Sequence, residues 1–459
     1  MYEVFYTKPE LLTEQEQQVL ARRAVPAKMP FFVDDQTLEY PHDINGFLRR
    51  LPSQGVNSPI TWKAYAYQVA VWVRYIRENM GRNSIWEATR EDAESFYRSR
   101  RTMDPDTAIS ASTWNSLVRV LVKLYDYGIE KEHTKTNIFR LHKGFTYNGV
   151  PVDEEETTLA EKHSQKDTMR FHSLEEYAFL RDVGFKGMLP DGNKDPDYTP
   201  RNDARNTAMV ELLVTTGMRI SEATVLTLPE LEKVEFPEIL SNMGTLVLPE
   251  SITKKNKQRK IFVPKRVLEQ VNDYITFERE AAVLRGNKVG SYEGADWIVV
   301  SSKDVKLVTL PSGHRRSIAK LSSPTRRKLL FKRKDGLLEP FVLWLSTNGT
   351  PLQTSAWTKV FDIATQRCAQ HGKTIESYPH KLRHTFAVHM LNFLENSRVG
   401  KDKEGTEGVY AGDSLRTVQL LLGHTSVATT YVYLGSVDLM SVLIDKSLLR
   451  YVTELGLEE

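Results

Sequence analysis

One cysteine, Cys368, occurs in 459 residues. An internal disulfide is therefore excluded, as is a metal site built on clustered thiolates, and such usage fits a reducing compartment. No stretch approaches the ~20 apolar residues that a membrane-spanning helix needs. The N-terminus, MYEVFYTKPELLTEQEQQ, lacks the apolar centre of a secretory signal. Also missing are internal repeats, low-complexity tracts and a strong net charge, the formal value being +3. A soluble, cytoplasmic protein without membrane contact is expected, and bulk charge alone announces no polyanionic partner.

The length is too great for one ordinary core, so two or three domains are expected. Residues 1–45 carry one short helical pattern and a Pro-rich, acidic stretch, and read as an N-terminal extension. Residues 46–145 are helical in pattern, as in ITWKAYAYQVAVWVRYIRENM and SASTWNSLVRVLVKLYDYGI, with Ser110 or Ser112 as N-cap of the latter helix. Residues 146–168 are acidic and without apolar periodicity, as a linker would be. From residue 169 the types mix: helices, two short strands (GTLVLPE and KIFVP) around a basic turn, then helices again. Residues 303–334 hold eleven Lys or Arg against one acid, which in an otherwise balanced chain points to a polyanion.

Three short segments carry chemistry. GMRISEATVLTL (217–228) sets Arg219 beyond Gly217, a helix-stop residue, with Glu222 three positions on. PHKLRHTF (379–386) opens a helix on which His380 and Arg383 share one face while Leu382 and Phe386 point to another. LLGHTSVATTYVYLG (421–435) gives a helix stop at Gly423, then His424, Tyr431 and Tyr433. His380 and His384 have the i, i+4 spacing of helical zinc sites, but Arg383 would set a cation beside a dication, so no metal is expected.

In this order the segments resemble the tyrosine recombinase (phage integrase) family, whose pattern is G-[LM]-R-x-S-E, then H-x-L-R-H, then L-G-H with a tyrosine nine residues later. The matching residues are Arg219 with Glu222, then His380, Leu382, Arg383 and His384, then Leu422, Gly423, His424 and Tyr433. The resemblance implies a mainly α fold with a small β-sheet: an α-helical, SAM-like core-binding domain and a mixed α/β catalytic domain over residues 169–436, closing as a C-shaped clamp on DNA. Residues 437–459 are then a C-terminal docking helix.

It also implies roles. Attack by tyrosine on a phosphodiester builds charge on two non-bridging oxygens, which planar guanidiniums such as Arg219 and Arg383 suit. His380 helps to accept the phenolic proton, His424 bonds the phosphate, and a hairpin lysine protonates the leaving 5′-oxygen. In SITKKNKQRKIFVP the family's K-x-N-K-x-R pattern lays Lys254 on that position, whereas counting back from Pro264 shifts the register, leaving Lys255 and Lys257 open. The nine-residue step selects Tyr433 as nucleophile over Tyr431. Glu222 and His384 are supporting residues.

Partners follow from the same resemblance: double-stranded DNA with inverted half-sites, a homotetramer on DNA, and an accessory DNA-bending or partner recombinase protein, in the prokaryotic nucleoid, with no cofactor. Phosphate contacts are expected from Lys63, Arg119 and Lys123 in the α-helical domain, and from Lys255, Lys257, Arg315, Arg316, Arg326 and Arg327. A silent DNA-binding protein of this fold, or an enzyme that nicks and reseals as type IB topoisomerases do, are the competing readings.

Overall fold

The computed structural model describes residues 2–35, 37–104, 106–140, 159–161, 170–200, 202–236, 242–254, 257–294, 296–399, 413–424, 430 and 433. The chain forms two compact units, residues 1–166 and 167–459.

The first unit begins with an antiparallel hairpin, β1 (Tyr2–Tyr6) and β2 (Pro30–Asp34), around helix α1 (Glu14–Arg22), followed by helices α2 (His42–Arg50), α3 (Pro59–Met80), α4 (Arg90–Arg101) and α5 (Ala111–Glu130). Ser110 caps α5, accepting from the Thr113 amide at 3.1 Å. The core is aromatic: Trp72 lies between Phe96 and Phe139, with ring centroids 5.0 Å from each.

Within residues 1–45, expected as an N-terminal extension, several side chains join this core. Met29 and Phe32 are buried in it, and buried Asn45 pairs with both backbone groups of Phe32, at 2.7 and 2.9 Å. Outside the core, Arg77 reaches Asp34 at 2.8 Å and covers the Tyr2 ring. The acidic stretch is likewise anchored where it is described. Arg101 grips both Glu161 carboxylate oxygens, at 2.5 and 2.8 Å, and the Trp114 indole donates to the Leu159 carbonyl at 2.8 Å.

The second unit runs α6 (Leu174–Phe179), continued by a π-helical turn to Phe185, α7 (Asp203–Thr216), α8 (Ile220–Ala223) and α9 (Leu228–Leu231). A hairpin follows, β3 (Met243–Leu248) and β4 (Arg259–Pro264), with Leu248 opposite Arg259 across the turn. Next are α10 (Lys265–Tyr274), α11 (Glu280–Lys288), β5 (Ile298–Val300), the small hairpin β6 (Val308–Thr309) and β7 (Arg315–Arg316), α12 (Ser323–Arg326), β8 (Leu329–Lys332) and β9 (Leu338–Pro340). Strands β5, β8 and β9 make a three-stranded sheet. The last elements are α13 (Ala356–Gln370), α14 (Pro379–Val399) and α15 (Ser414–Leu422).

Helix α7 is buried along most of its surface, Arg205, Thr207 and Glu211 included, and its apolar residues enter the core of the second unit. The basic stretch is not one solvated face: Val308, Leu321, Leu329 and Phe331 enter the same core. One face of α14 is fastened from behind. Thr385 Oγ1 accepts from the His172 amide at 2.9 Å, and His389 Nε2 bonds the His172 carbonyl at 2.9 Å. That fixes the rotation of α14 about its axis and turns His380, Arg383 and His384 the other way. Residues 437–459, expected as a docking helix, lie outside the described residues.

Candidate active site

Gly217 ends α7 in the left-handed region, at φ 61°, and the chain turns at once into α8 with Arg219 as its N-cap. A side chain at Gly217 would be strained at that φ and would also meet Phe386 at 2.4 Å. Glu222, at the third position of α8, accepts from the Arg219 amide at 3.0 Å and from its guanidinium at 3.0 Å. Its carboxylate is fully buried.

A second guanidinium shares that carboxylate. Arg259 bonds both Glu222 oxygens, at 2.7 and 3.2 Å. It follows the basic turn, where Thr253 Oγ1 accepts from the Lys257 amide at 3.0 Å and closes the loop. Burial, opposed by Glu222, holds the Arg259 pKa below the ordinary arginine value.

Arg383 is buried and has carbonyl partners. Its guanidinium donates to Gly217 O, at the C-cap of α7, and, at 2.6 Å, to Leu422 O, the last carbonyl of α15. Two helix C-termini, the negative ends of their dipoles, thus converge on it. Burial, then the charges of Arg219 and Arg259, pull its pKa down to about 9, so it stays cationic at neutral pH. Three guanidiniums facing one carboxylate leave an excess of positive charge that an anion would neutralise.

The imidazoles complete the site. His380 is open to solvent on one side, and its ring meets that of His384 edge-on at 4.3 Å between centroids. Desolvation of its inner side, with Arg383, Arg219 and Lys254, lowers the His380 pKa. Burial, His380 and Arg383 lower His384 to about 4. Burial and the three arginines also bring His424 to about 4. His424 Nδ1 pairs with Thr430 Oγ1 at 3.0 Å, and its ring lies parallel to that of Tyr433, 6.2 Å away. Gly423, at φ 65°, ends α15, and a Cβ there would stand 2.6 Å from Arg259 Nη1.

Tyr433 is 2% exposed and packs with Phe386, Leu391, Val418 and Leu422. Its hydroxyl is 3.2 Å from His384 Nδ1. Burial raises its pKa against the opposing pull of Arg383 and Arg219.

The structure therefore brings together Arg219, Glu222, His380, Arg383, His384, His424 and Tyr433. Lys254 stands exposed at the turn, close enough for its charge to act on His380. Lys257 is exposed on the same turn, and Lys255 and Tyr431 lie outside the described residues. Arg259 was not singled out from sequence. The signal was there, since it closes the K-x-N-K-x-R pattern.

The expected phosphate contacts divide. Lys63 and Arg119 are exposed on α3 and α5, and Arg315 and Arg316 are exposed on β7. Lys123 contacts the Tyr65 hydroxyl at 3.2 Å. Arg326 is a correction: it is fully buried, paired with Glu230 at 2.8 Å and bonded to the Val225, Ile318 and Leu321 carbonyls. Arg327 is half-buried, its guanidinium donating to Leu352 O, Thr224 Oγ1 and Thr354 Oγ1. Both arginines tie loops together inside the unit.

Guanidiniums, imidazoles and a phenol around a single carboxylate make a site shaped for an anion beside a tyrosine. Residues 194–393 match the phage integrase family, and residues 44–132 match the phage integrase N-terminal SAM-like domain. The chain belongs to the phage integrase family. It is 27% identical over 358 residues to the tyrosine recombinase XerD of Corynebacterium glutamicum, covering 78% of this chain and 81% of that one. To the tyrosine recombinase XerC of Ralstonia pickettii it is 30% identical over 157 residues, 33% of this chain and only 42% of the relative's length. Its fold is similar to that of the XerH site-specific recombinase bound to palindromic difH substrate in a post-cleavage complex, with TM-score 0.50, 15% identity and 90% of each chain covered.

Proposed function

We propose that this chain is a site-specific tyrosine recombinase that cleaves and rejoins duplex DNA. The observation that carries the reading is the convergence of Arg219 and Arg383 on Tyr433, with Arg259 sharing the Glu222 carboxylate that Arg219 bonds. Such an arrangement matches a phosphodiester gaining charge in the transition state.

In this reading Arg219 and Arg383 grip the non-bridging oxygens and His424 donates to the phosphate. Tyr433 attacks phosphorus, the bond to the 5′-oxygen breaks, and Lys254 supplies the proton for that oxygen. By family resemblance, His380 helps to take the phenolic proton. The 3′-phosphotyrosine keeps the energy of the broken bond, so a 5′-hydroxyl from a partner strand reverses the step without ATP. Strand exchange then proceeds through a Holliday junction, on a homotetramer bound to inverted half-sites. An accessory DNA-bending or partner recombinase protein, and a place in the prokaryotic cytoplasm at the nucleoid, complete the proposal. Both named relatives are from bacteria, and among the described residues no helix is long and apolar enough to cross a membrane.

A nicked suicide substrate tests it. The expected result is a covalent protein–DNA adduct with the wild type and none with Tyr433→Phe, which still binds. On paired sites, strand exchange supports recombination, relaxation alone supports a topoisomerase, and binding without an adduct supports a silent DNA-binding protein.

A further inference from the structure

Among the described residues, the titratable side chains around the Tyr433 hydroxyl are His384 and Arg383 from α14, Arg219 from the start of α8, and His424 after α15. Arginines do not accept protons. The His424 ring is parallel to the phenol and commits Nδ1 to Thr430. His380 is one helical turn before His384, and its ring is set against that of His384. His384 alone of these has a ring nitrogen within hydrogen-bond reach of the phenol, at 3.2 Å.

We propose that His384, the residue after the second arginine, is the general base that takes the phenolic proton of Tyr433. The inference rests on the recombinase reading and departs from it at one point, the identity of that base. In the forward step the phenolic O–H bond breaks, its proton passes to His384 Nδ1, and the phenolic oxygen forms the new bond to phosphorus. The bond from phosphorus to the 5′-oxygen breaks, and that oxygen is protonated by a separate acid. On rejoining, His384 returns its proton to the phenol.

A neutral imidazole is required for this, and the resting site supplies one. Arg383 is among the groups that hold His384 neutral, and a bound phosphate offsets that charge. Substrate arrival thus raises the basicity of His384 when a base is needed. His380, open to solvent one turn away, stands where the proton can leave.

The test is single-turnover cleavage of the suicide substrate by the full chain between pH 6 and 10. His384→Asn keeps an acceptor near the Nδ1 position but no basic nitrogen, and His384→Ala keeps neither. Both are expected to bind a half-site like the wild type and to cleave about 100-fold or more slowly at neutral pH. Their rates should climb with pH, because hydroxide must replace the base. Replacing Tyr433 with 2,3,5-trifluorotyrosine, a more acidic phenol, should restore His384→Asn by at least about tenfold, which a mere packing defect would not allow.

Wild-type rates from His384→Asn would overturn the proposal and leave His384 a positioning residue. A pH-dependent, fluorotyrosine-rescued defect in His380→Asn but not in His384→Asn would move the base to His380. Absence of any adduct from wild type would defeat the recombinase reading itself, a different result from either.

Discussion

Arg259 holds Glu222 with two hydrogen bonds, 2.7 and 3.2 Å long, although the two stand 37 positions apart in sequence. Through that pairing the basic hairpin is fastened to the turn that bears Arg219, so both edges of the anion pocket move together. The same pairing stops Glu222 from neutralising Arg219 completely.

Arg259→Ala should therefore damage both stability and chemistry. Breaking a buried ion pair by removing one partner typically costs roughly 3–5 kcal/mol, and Arg219, still present, places this case near the lower end. Denaturant unfolding measures that loss. Cleavage should fall by about two decades as Arg219 turns wholly to Glu222. An unaltered midpoint together with an unaltered rate would dismiss Arg259 from the site.

Gly423→Ala is expected to be more damaging than a methyl suggests. The residue has φ 65°, and the new Cβ would approach Arg259 Nη1 at 2.6 Å. Displacing that guanidinium disturbs Glu222, so adduct formation should drop by at least about tenfold with half-site binding preserved. A fully active Gly423→Ala protein would mean that the close approach is dispensable.

Stability should decline in acid before the carboxylates titrate. His384 and His424 are held near 4 and His172 near 3, each below the ordinary histidine value of 6.5. Below about 6.5 the unfolded chain takes up protons that the folded chain refuses, so stability is full above that pH and falls progressively towards 4. Tm measured from pH 7.5 to 5.0 should decrease, and His172→Gln should flatten the slope. A pH-independent Tm across this window would contradict buried neutral imidazoles.

The arginines of the basic stretch should separate by location. Arg315→Glu with Arg316→Glu, both on exposed β7, should weaken DNA binding and lower the salt slope by about 0.9 for each phosphate no longer neutralised, with Tm unchanged. Arg326→Ala should lower Tm first, because it removes a buried guanidinium that bonds Glu230 and three carbonyls. The reverse pattern in gel-shift and melting experiments would reassign both.

Lys254→Ala should be restored by a substrate whose bridging 5′-oxygen is sulfur, since a thiolate departs without a proton. Rescue of Lys257→Ala instead would shift the hairpin assignment by three residues.

The two helix stops and the hairpin were legible because local chemistry dictates them. Gly217 and Gly423 adopt the left-handed conformation that their sequence settings require, and the alternating MGTLVL and RKIFVP pair as strands. Burial of charge was not legible. Arg326 and Arg327 sit in a basic run and look solvated in sequence, yet their partners include the Glu230 carboxylate, the Val225 and Leu352 carbonyls and the Thr224 hydroxyl, which no local pattern reveals. The strands at 2–6 and 30–34 escaped for a related reason, since each is short and its partner lies beyond an intervening helix. His384 read as a supporting residue because its relation to Tyr433 crosses 49 positions.

The seat of Arg383, between the ends of α7 and α15, has a consequence for how such sequences are interpreted. Its guanidinium fastens two helices whether or not DNA is ever cut, so natural selection for folding alone would retain it. A descendant of this chain that lost catalysis and kept only its grip on DNA would be free to change Tyr433 and Lys254 long before Arg383. The presence of this arginine in a sequence is thus testimony to architecture, and the tyrosine is the better witness to activity.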